Sequence, residues 1–160
     1  MRRAERAVTG LNEIESILKR CEVCRLALHD DPYPYIVPLS FGYGRDGERL
    51  WLYFHCAHEG MKLNLMQKRA QAAFEMDCAC KVIQKGQSAC AYTMRYESVV
   101  GQGVLSRVQG AEKADGLSAL MRHAAPKKAF DFSQAALDGV TVLRLDVHSL
   151  TAKRNLPGEP

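Results

Sequence analysis

"RDGERLWLYFHCAHEGMKLNLM", residues 45 to 66, carries a turn, a strand and the start of a helix in one run. Asp46-Gly47 is a hairpin signal of the Asp-Gly type. RLWLYFHC then returns as a strand. His55-Cys56-Ala57-His58-Glu59-Gly60 is a polar knot that ends the strand. From about His58 to Lys68 the spacing predicts a helix, with Leu63, Leu65 and Met66 as its apolar side. Two histidines, a cysteine, a glycine and a lysine, Lys62, meet at this one strand-to-helix junction.

Outward from this stretch, strands dominate. Upstream, Leu11, Ile14, Ile17 and Leu18 fall at helical spacing, with Glu13 and Glu15 early and Lys19-Arg20 late, as the helix dipole favours. EVCRLAL alternates as a strand. His29-Asp30-Asp31-Pro32 is a turn. YPYIVPLSFGYG is β-rich but interrupted by Pro34 and Pro38. Proline cannot donate to a ladder, so this strand belongs at an edge or a bulge. Downstream, QAAFEMDCACKVI is a strand, KGQSACAYTMRY a polar connection, and YESVVGQGVLSRV a long strand. AEKADGLSALMRHAA predicts a helix despite the interior Gly116. PKKAFDFSQAALDG is loop with a helical turn. VTVLRLDVHSLTAKR closes with strict alternation, setting Val140, Val142, Arg144, Asp146 and His148 against Thr141, Leu143, Leu145 and Val147. Strands arranged in hairpins predict a mainly β fold in a single domain, an antiparallel sheet closed as a barrel with helices outside.

Composition narrows the function classes. The chain has 160 residues, 47% hydrophobic, with 22 basic and 18 acidic residues for a net charge of +4. That balance lacks the sharp basic stripe of a nucleic-acid binder. No apolar run approaches a membrane span, and MRRAERAVTG lacks the apolar region of a signal peptide, so the expected home is the cytoplasm. In that reducing setting the six cysteines read as thiols.

Each chemical candidate has a bland counterpart. Cys21-x-x-Cys24 with Cys78-x-Cys80 has the ligand types of a zinc site, but alternating strand positions diverge, and buried thiols fit better. A nucleophilic Cys56 would need a positioned base and an orienting acid, and sequence neighbours seldom supply them. An anion site at the junction draws on the helix N-terminus, on Gly60 for close approach, on Lys62 for charge and on His55 as a donor. A solvated surface lysine fits the same residues equally well. Val37-Pro38-Leu39-Ser40, a proline-interrupted strand, has unpaired backbone groups that could read the edge of a flat heterocycle, but by itself an ordinary edge strand fits better. Gly101 and Gly103 mark a bulge or a close approach of ligand or backbone.

Taken in order, VCRLAL, PYIVPLSFGY, LYFHCAHEGMKLNLM, YESVVGQGVL and VTVLRLDVHSLTAKR resemble the flavin-binding split-barrel proteins related to pyridoxamine 5'-phosphate oxidase. Within them the chain is most similar to the Nim group, the 5-nitroimidazole resistance proteins. The resemblance runs from about residue 2 to residue 154. It implies a six-stranded split β-barrel forming a homodimer, with FMN in clefts between the protomers. The flavin ring would rest on Val37, Pro38, Leu39 and Ser40. Tyr53, Phe54 and His55 would line the ribityl and phosphate path, and Lys62 would pair with the phosphate. Glu97 and Ser98 lie on the strand that reaches the flavin in oxidase relatives, and Lys153 and Arg154 would come from the partner subunit. His55 matches a functional histidine of Nim relatives and is the expected active-site residue. The implied activity is electron transfer from a reduced nicotinamide or another donor, through FMN, to a small planar acceptor such as a nitroaromatic. The alternative is a flavin- or haem-binding barrel without turnover. Two departures stand out. Met61-Lys62 replaces an Arg-Lys pair, and no Arg-x-His segment lies near the C-terminus, so oxidation of the vitamin itself is not expected.

Overall fold

A computed structural model describes residues 3–126 and 128–157. In chain order the elements are β1 (Ala7–Val8), α1 (Leu11–Leu18), β2 (Cys24–Leu28), β3 (Tyr35–Leu39), β4 (Gly42–Asp46), β5 (Arg49–Cys56), α2 (Met61–Lys68), β6 (Gln71–Gln84), β7 (Tyr92–Val108), α3 (Ala111–Ala124), α4 (Gln134–Asp138) and β8 (Thr141–Asn155). Every strand pairing is antiparallel, in the order β3-β2-β6-β7-β8-β5-β4, with β1 added to β8. The edge strands β3 and β4 are consecutive in the chain. The Ser40–Phe41 link therefore curls the sheet back on itself.

The expected six strands become eight among the described residues for two reasons. The run around Pro38 breaks at Ser40–Phe41 into β3 and β4, and the short β1 was not anticipated. Pro38 does lie on an edge strand, paired on one side only, with Arg25 of β2. KGQSACAYTMRY is not a loop. Its second half enters β7, where Tyr92 to Arg95 pair with Lys81 to Gln84 as a two-stranded arm. Tyr92, Thr93 and Met94 favour extended backbone, which outweighs the polar character of the segment.

Two cores organise the barrel. The inner one joins Leu26, Leu52, Phe54, Phe74, Met76, Leu105, Leu143 and Leu145 to Ile17 and Leu18 of α1 and Leu63, Leu65 and Met66 of α2. The outer one places Leu117, Ala119 and Leu120 of α3 against Tyr53, Val108 and Val142. Thus the first half of β8 is buried on both faces, although strict alternation predicts one. A bulge at His148, where Gln102 pairs with Ser149 and Gly103 with Val147, then shifts the phase of the strand. The close approach expected near Gly103 is made by the backbone of β8, since a Cβ there would collide with the Asp146 carbonyl. Gly116 fits inside α3 because a side chain would press on Val142 Cγ1 at 2.9 Å and Tyr53 Cδ1 at 3.0 Å. No helix among the described residues is long and apolar enough to cross a membrane.

A buried ion cluster fastens α1 to the barrel. Glu97 on β7, only 4% exposed, accepts from Arg20 Nη2 at 2.6 Å and Nε at 3.1 Å, and from Arg154 Nε at 2.6 Å. Arg154 also reaches Glu13 Oε1 at 3.2 Å. Burial pushes the Glu97 carboxyl upward, but its bonds to Arg20 and Arg154 outweigh that and hold it below the ordinary carboxylate range.

Two outcomes follow for stability. Gly42→Ala should cost about 3 kcal/mol in denaturant unfolding, because the new Cβ falls on the Ala119–Leu120 peptide of α3. Glu97→Gln should cost about 2–3 kcal/mol near neutral pH. The folded pKa is depressed, so the contribution is complete above the ordinary carboxylate pKa and lost as pH falls through the folded value. Urea melts of both chains from pH 7 downward should converge. A difference that stays constant or grows on acidification would refute this assignment.

Candidate functional site

The junction lies where β5 leaves the barrel. Along this strand Phe54 and Cys56 face the inner core, Tyr53 faces α3, and His55 stands exposed. Tyr53 and Phe54 are 5% and 0% exposed. Both side chains are therefore turned away from solvent, leaving only backbone for a ligand path: Phe54 is packed inside the barrel, and the Tyr53 hydroxyl donates to Glu112 at 3.2 Å beneath α3. Of the three, His55 alone presents its side chain to solvent.

The helix begins three residues later than expected, at Met61. Gly60 precedes it with φ 140° and ψ 166°, a backbone state that side chains rarely adopt. Nothing lies within 4 Å of where a Gly60 Cβ would sit, so this backbone faces open space. The helical ladder opens with Leu63 and Asn64 donating to the Gly60 carbonyl. That leaves the N–H groups of Met61 and Lys62 outside the ladder, pointing from the positive end of α2. Lys62 is half-buried, with no carboxylate partner among the described residues.

His58 is committed elsewhere. Its Nε2 lies 2.7 Å from the Asp138 carbonyl, which can only accept, so Nε2 carries the hydrogen. Nδ1 lies 3.1 Å from the Thr141 hydroxyl. His58 thus pins the junction to the start of β8, leaving His55 as the free imidazole. Burial raises the Cys56 thiol, while Lys62 and Arg107 pull in the opposite direction without prevailing. A protonated, 9% exposed thiol is a poor nucleophile.

Arg107 is the residue that the sequence reading missed. Leu143 of β8 pairs with Phe54 on one side and Arg107 on the other. Arg107 follows the inward-facing Leu105 by two positions, so it continues the inner face at the open end of the barrel, where α2 sits. The signal was present in VLSRV, whose inward positions are Leu105 and Arg107.

The other expected residues lie apart from the junction. Val37, Pro38 and Leu39 form β3 with one edge unpaired, and Ser40 is exposed at the link to β4. Ser98 is opposite Asp77 on one side and Lys153 on the other. Ser98 and Arg107 are separated along β7 by about 30 Å of extended strand. Within one chain, His55, Gly60 and Lys62 therefore occupy one end of the ladder, and Ser98 and Lys153 the other. Glu97 and Arg154 bind each other and α1. Of the four cysteines in the zinc-like pattern, Cys21 and Cys78 meet side chain to side chain, and the other two lie apart from them. Cys24 faces the inner core, while Cys80 is exposed and donates to Asp77 at 2.9 Å.

Comparison with known proteins agrees with this architecture. The model of the family described as pyridoxamine 5'-phosphate oxidase matches residues 11–154. A search of curated proteins finds no match. Among solved structures, a candidate 5-nitroimidazole antibiotic resistance protein of Bacteroides thetaiotaomicron is 30% identical, with a TM-score of 0.79 over 92% of this chain and 85% of that one. An FAD and haem binding protein of Mycobacterium smegmatis is 21% identical, with a TM-score of 0.78 over 97% and 75%. An FAD-binding protein of Mesorhizobium loti is 20% identical, with a TM-score of 0.65 over 94% and 98%; the last two show likeness of fold. With residues 11–154 matched from α1 to the end of β8, the chain belongs to the pyridoxamine 5'-phosphate oxidase family, sharing its split barrel with a relative of the Nim type.

Proposed function

We propose that this protein binds FMN and acts as an oxidoreductase on a small planar acceptor. The observation that carries this reading is the α2 junction: a lysine with no carboxylate partner among the described residues, free helix N–H groups and an open glycine backbone at one point. This donor set fits a phosphate monoester. Lys62 neutralises its charge, and the N–H groups of Met61 and Lys62 donate to its oxygens. The unpaired edge of β3 at Val37–Leu39 offers N–H and C=O groups to the rim of a flat heterocycle, with Ser40 beside it. FMN, when bound, supplies the electron transfer itself. His55 stands outside the barrel at the same end, where its imidazole can hand a proton to an acceptor being reduced. Free thiols on this chain suit a reducing cytoplasm.

A homodimer belongs to the same reading. Ser98 and Lys153 are too far along the ladder to meet a ligand held by Lys62 of their own chain. A second copy, turned about a two-fold axis, can bring them there. The uncovered outer face of β3, β2, β6 and β7 supports this arrangement, with Ile36 60% and Val100 47% exposed. The second reading, flavin or haem binding without turnover, draws on the likeness to the M. smegmatis fold.

The purified protein should be yellow, or become so with added FMN, and light scattering should give twice the chain mass. A protein that neither carries nor takes up flavin would eliminate both readings, and a strict monomer would eliminate the shared site. Lys62→Ala should weaken FMN binding about 10- to 100-fold in a fluorescence titration. An unchanged affinity would remove Lys62 from the phosphate site. Turnover of a nitroaromatic by the reduced holoprotein separates enzyme from carrier, and His55→Ala should slow that turnover more than it weakens FMN binding.

A further inference from the structure

We propose that Arg107 is a second phosphate-binding cation, replacing across the barrel mouth the charge that Met61 does not provide on α2. The inference rests on the reading that an FMN phosphate sits at the start of α2, and it adds a residue from a different element of the fold.

Three observations converge on this arginine. The first is its register. Arg107 and Phe54 flank Leu143 from opposite sides, so Arg107 lies two strands from the end of β5. The second is its face. Phe54, Leu105 and Leu143 all belong to the inner core, and so does Cys56 at the last position of β5. Alternation puts Arg107 on the same face as Cys56, one step beyond the last buried leucine of β7. The inward row there ends in a charge because the barrel is open at this point, and α2 closes it from above with Leu63, Leu65 and Met66. The third is its lack of a partner. Arg107 is exposed and has no hydrogen bond or ion pair to any carboxylate among the described residues. Two acids on neighbouring segments are otherwise placed: Glu112 is held by Arg144 and Tyr53, and Glu59 is exposed on the loop before Gly60. Lys62 and Arg107 both pull the Cys56 thiol downward electrostatically, so both charges lie within electrostatic range of that side chain.

Two uncompensated cations from separate elements suit a dianionic group better than one does. A guanidinium adds planar, paired donors that a lysine cannot offer. Lys62 comes from α2, which also supplies the free N–H groups, and Arg107 from the end of β7. The site would then prefer the phosphorylated flavin over the same ring and ribityl chain without phosphate.

The test compares FMN with riboflavin on the full chain. Fluorescence titrations are made on the wild type, Arg107→Ala and Arg107→Lys, with thermal unfolding of each as a control for folding. Arg107→Ala should weaken FMN about 10- to 100-fold and leave riboflavin unchanged, while Arg107→Lys recovers part of the loss. Unchanged FMN affinity in Arg107→Ala overturns the role of the arginine and leaves the flavin reading standing. Equal weakening of both flavins also overturns it, because the arginine would then act on the ring or the fold. A wild type that binds neither flavin overturns both readings together.

Discussion

The antiparallel ladder between β7 and β8 is the constraint on which everything else in this chain depends. It runs from Tyr96–Asn155 to Val108–Val142 and is the longest pairing through the middle of the sheet. One end carries the outlets of β5 and β7 with the starts of α2 and α3. The other carries the Glu97 cluster that holds α1. A bulge at His148 interrupts this ladder, a feature that increases local twist, and β3 and β4 are joined through Ser40–Phe41.

Charge is distributed unevenly along that ladder. At the Glu97 end, two arginines satisfy one buried carboxylate, and a second acid, Glu13, takes up part of what remains. At the junction end, Lys62 and Arg107 have no acid paired with them among the described residues. A buried, balanced cluster stabilises structure, whereas uncompensated cations beside free helix N–H groups wait for an external anion. The same residue types thus stand in opposite electrostatic settings at the two ends, and only their partners distinguish them.

Much of the fold was legible in order. The Asp-Gly turn, the return strand, the glycine before α2 and the edge placement of Pro38 are local signals, and the structure carries all of them. What was not legible depended on residues far apart in the chain. Tyr53 looked available to a ligand until α3, some sixty positions later in the sequence, covered it. Glu97 looked like part of a ligand strand, but Arg20 and Arg154 lie 77 and 57 positions away. The arm formed by Tyr92 to Arg95 was hidden by a polar composition that extended backbone tolerates. Arg107 could have been found from alternation alone, since it continues the inward row after Leu105.

Most of the secondary elements, the turns between them and the chemistry gathered at residues 55 to 62 were written in local sequence. These follow from short-range preferences: allowed backbone angles, alternation on a strand, and the free N–H groups at a helix start. Long-range packing settled which strand faces are buried twice, which charges cancel, and that the two groups of candidate ligand residues stand at opposite ends of one ladder. Burial and Coulomb pairing depend on distance in space, and in this barrel the partners come from strands and helices that the chain reaches only after long excursions.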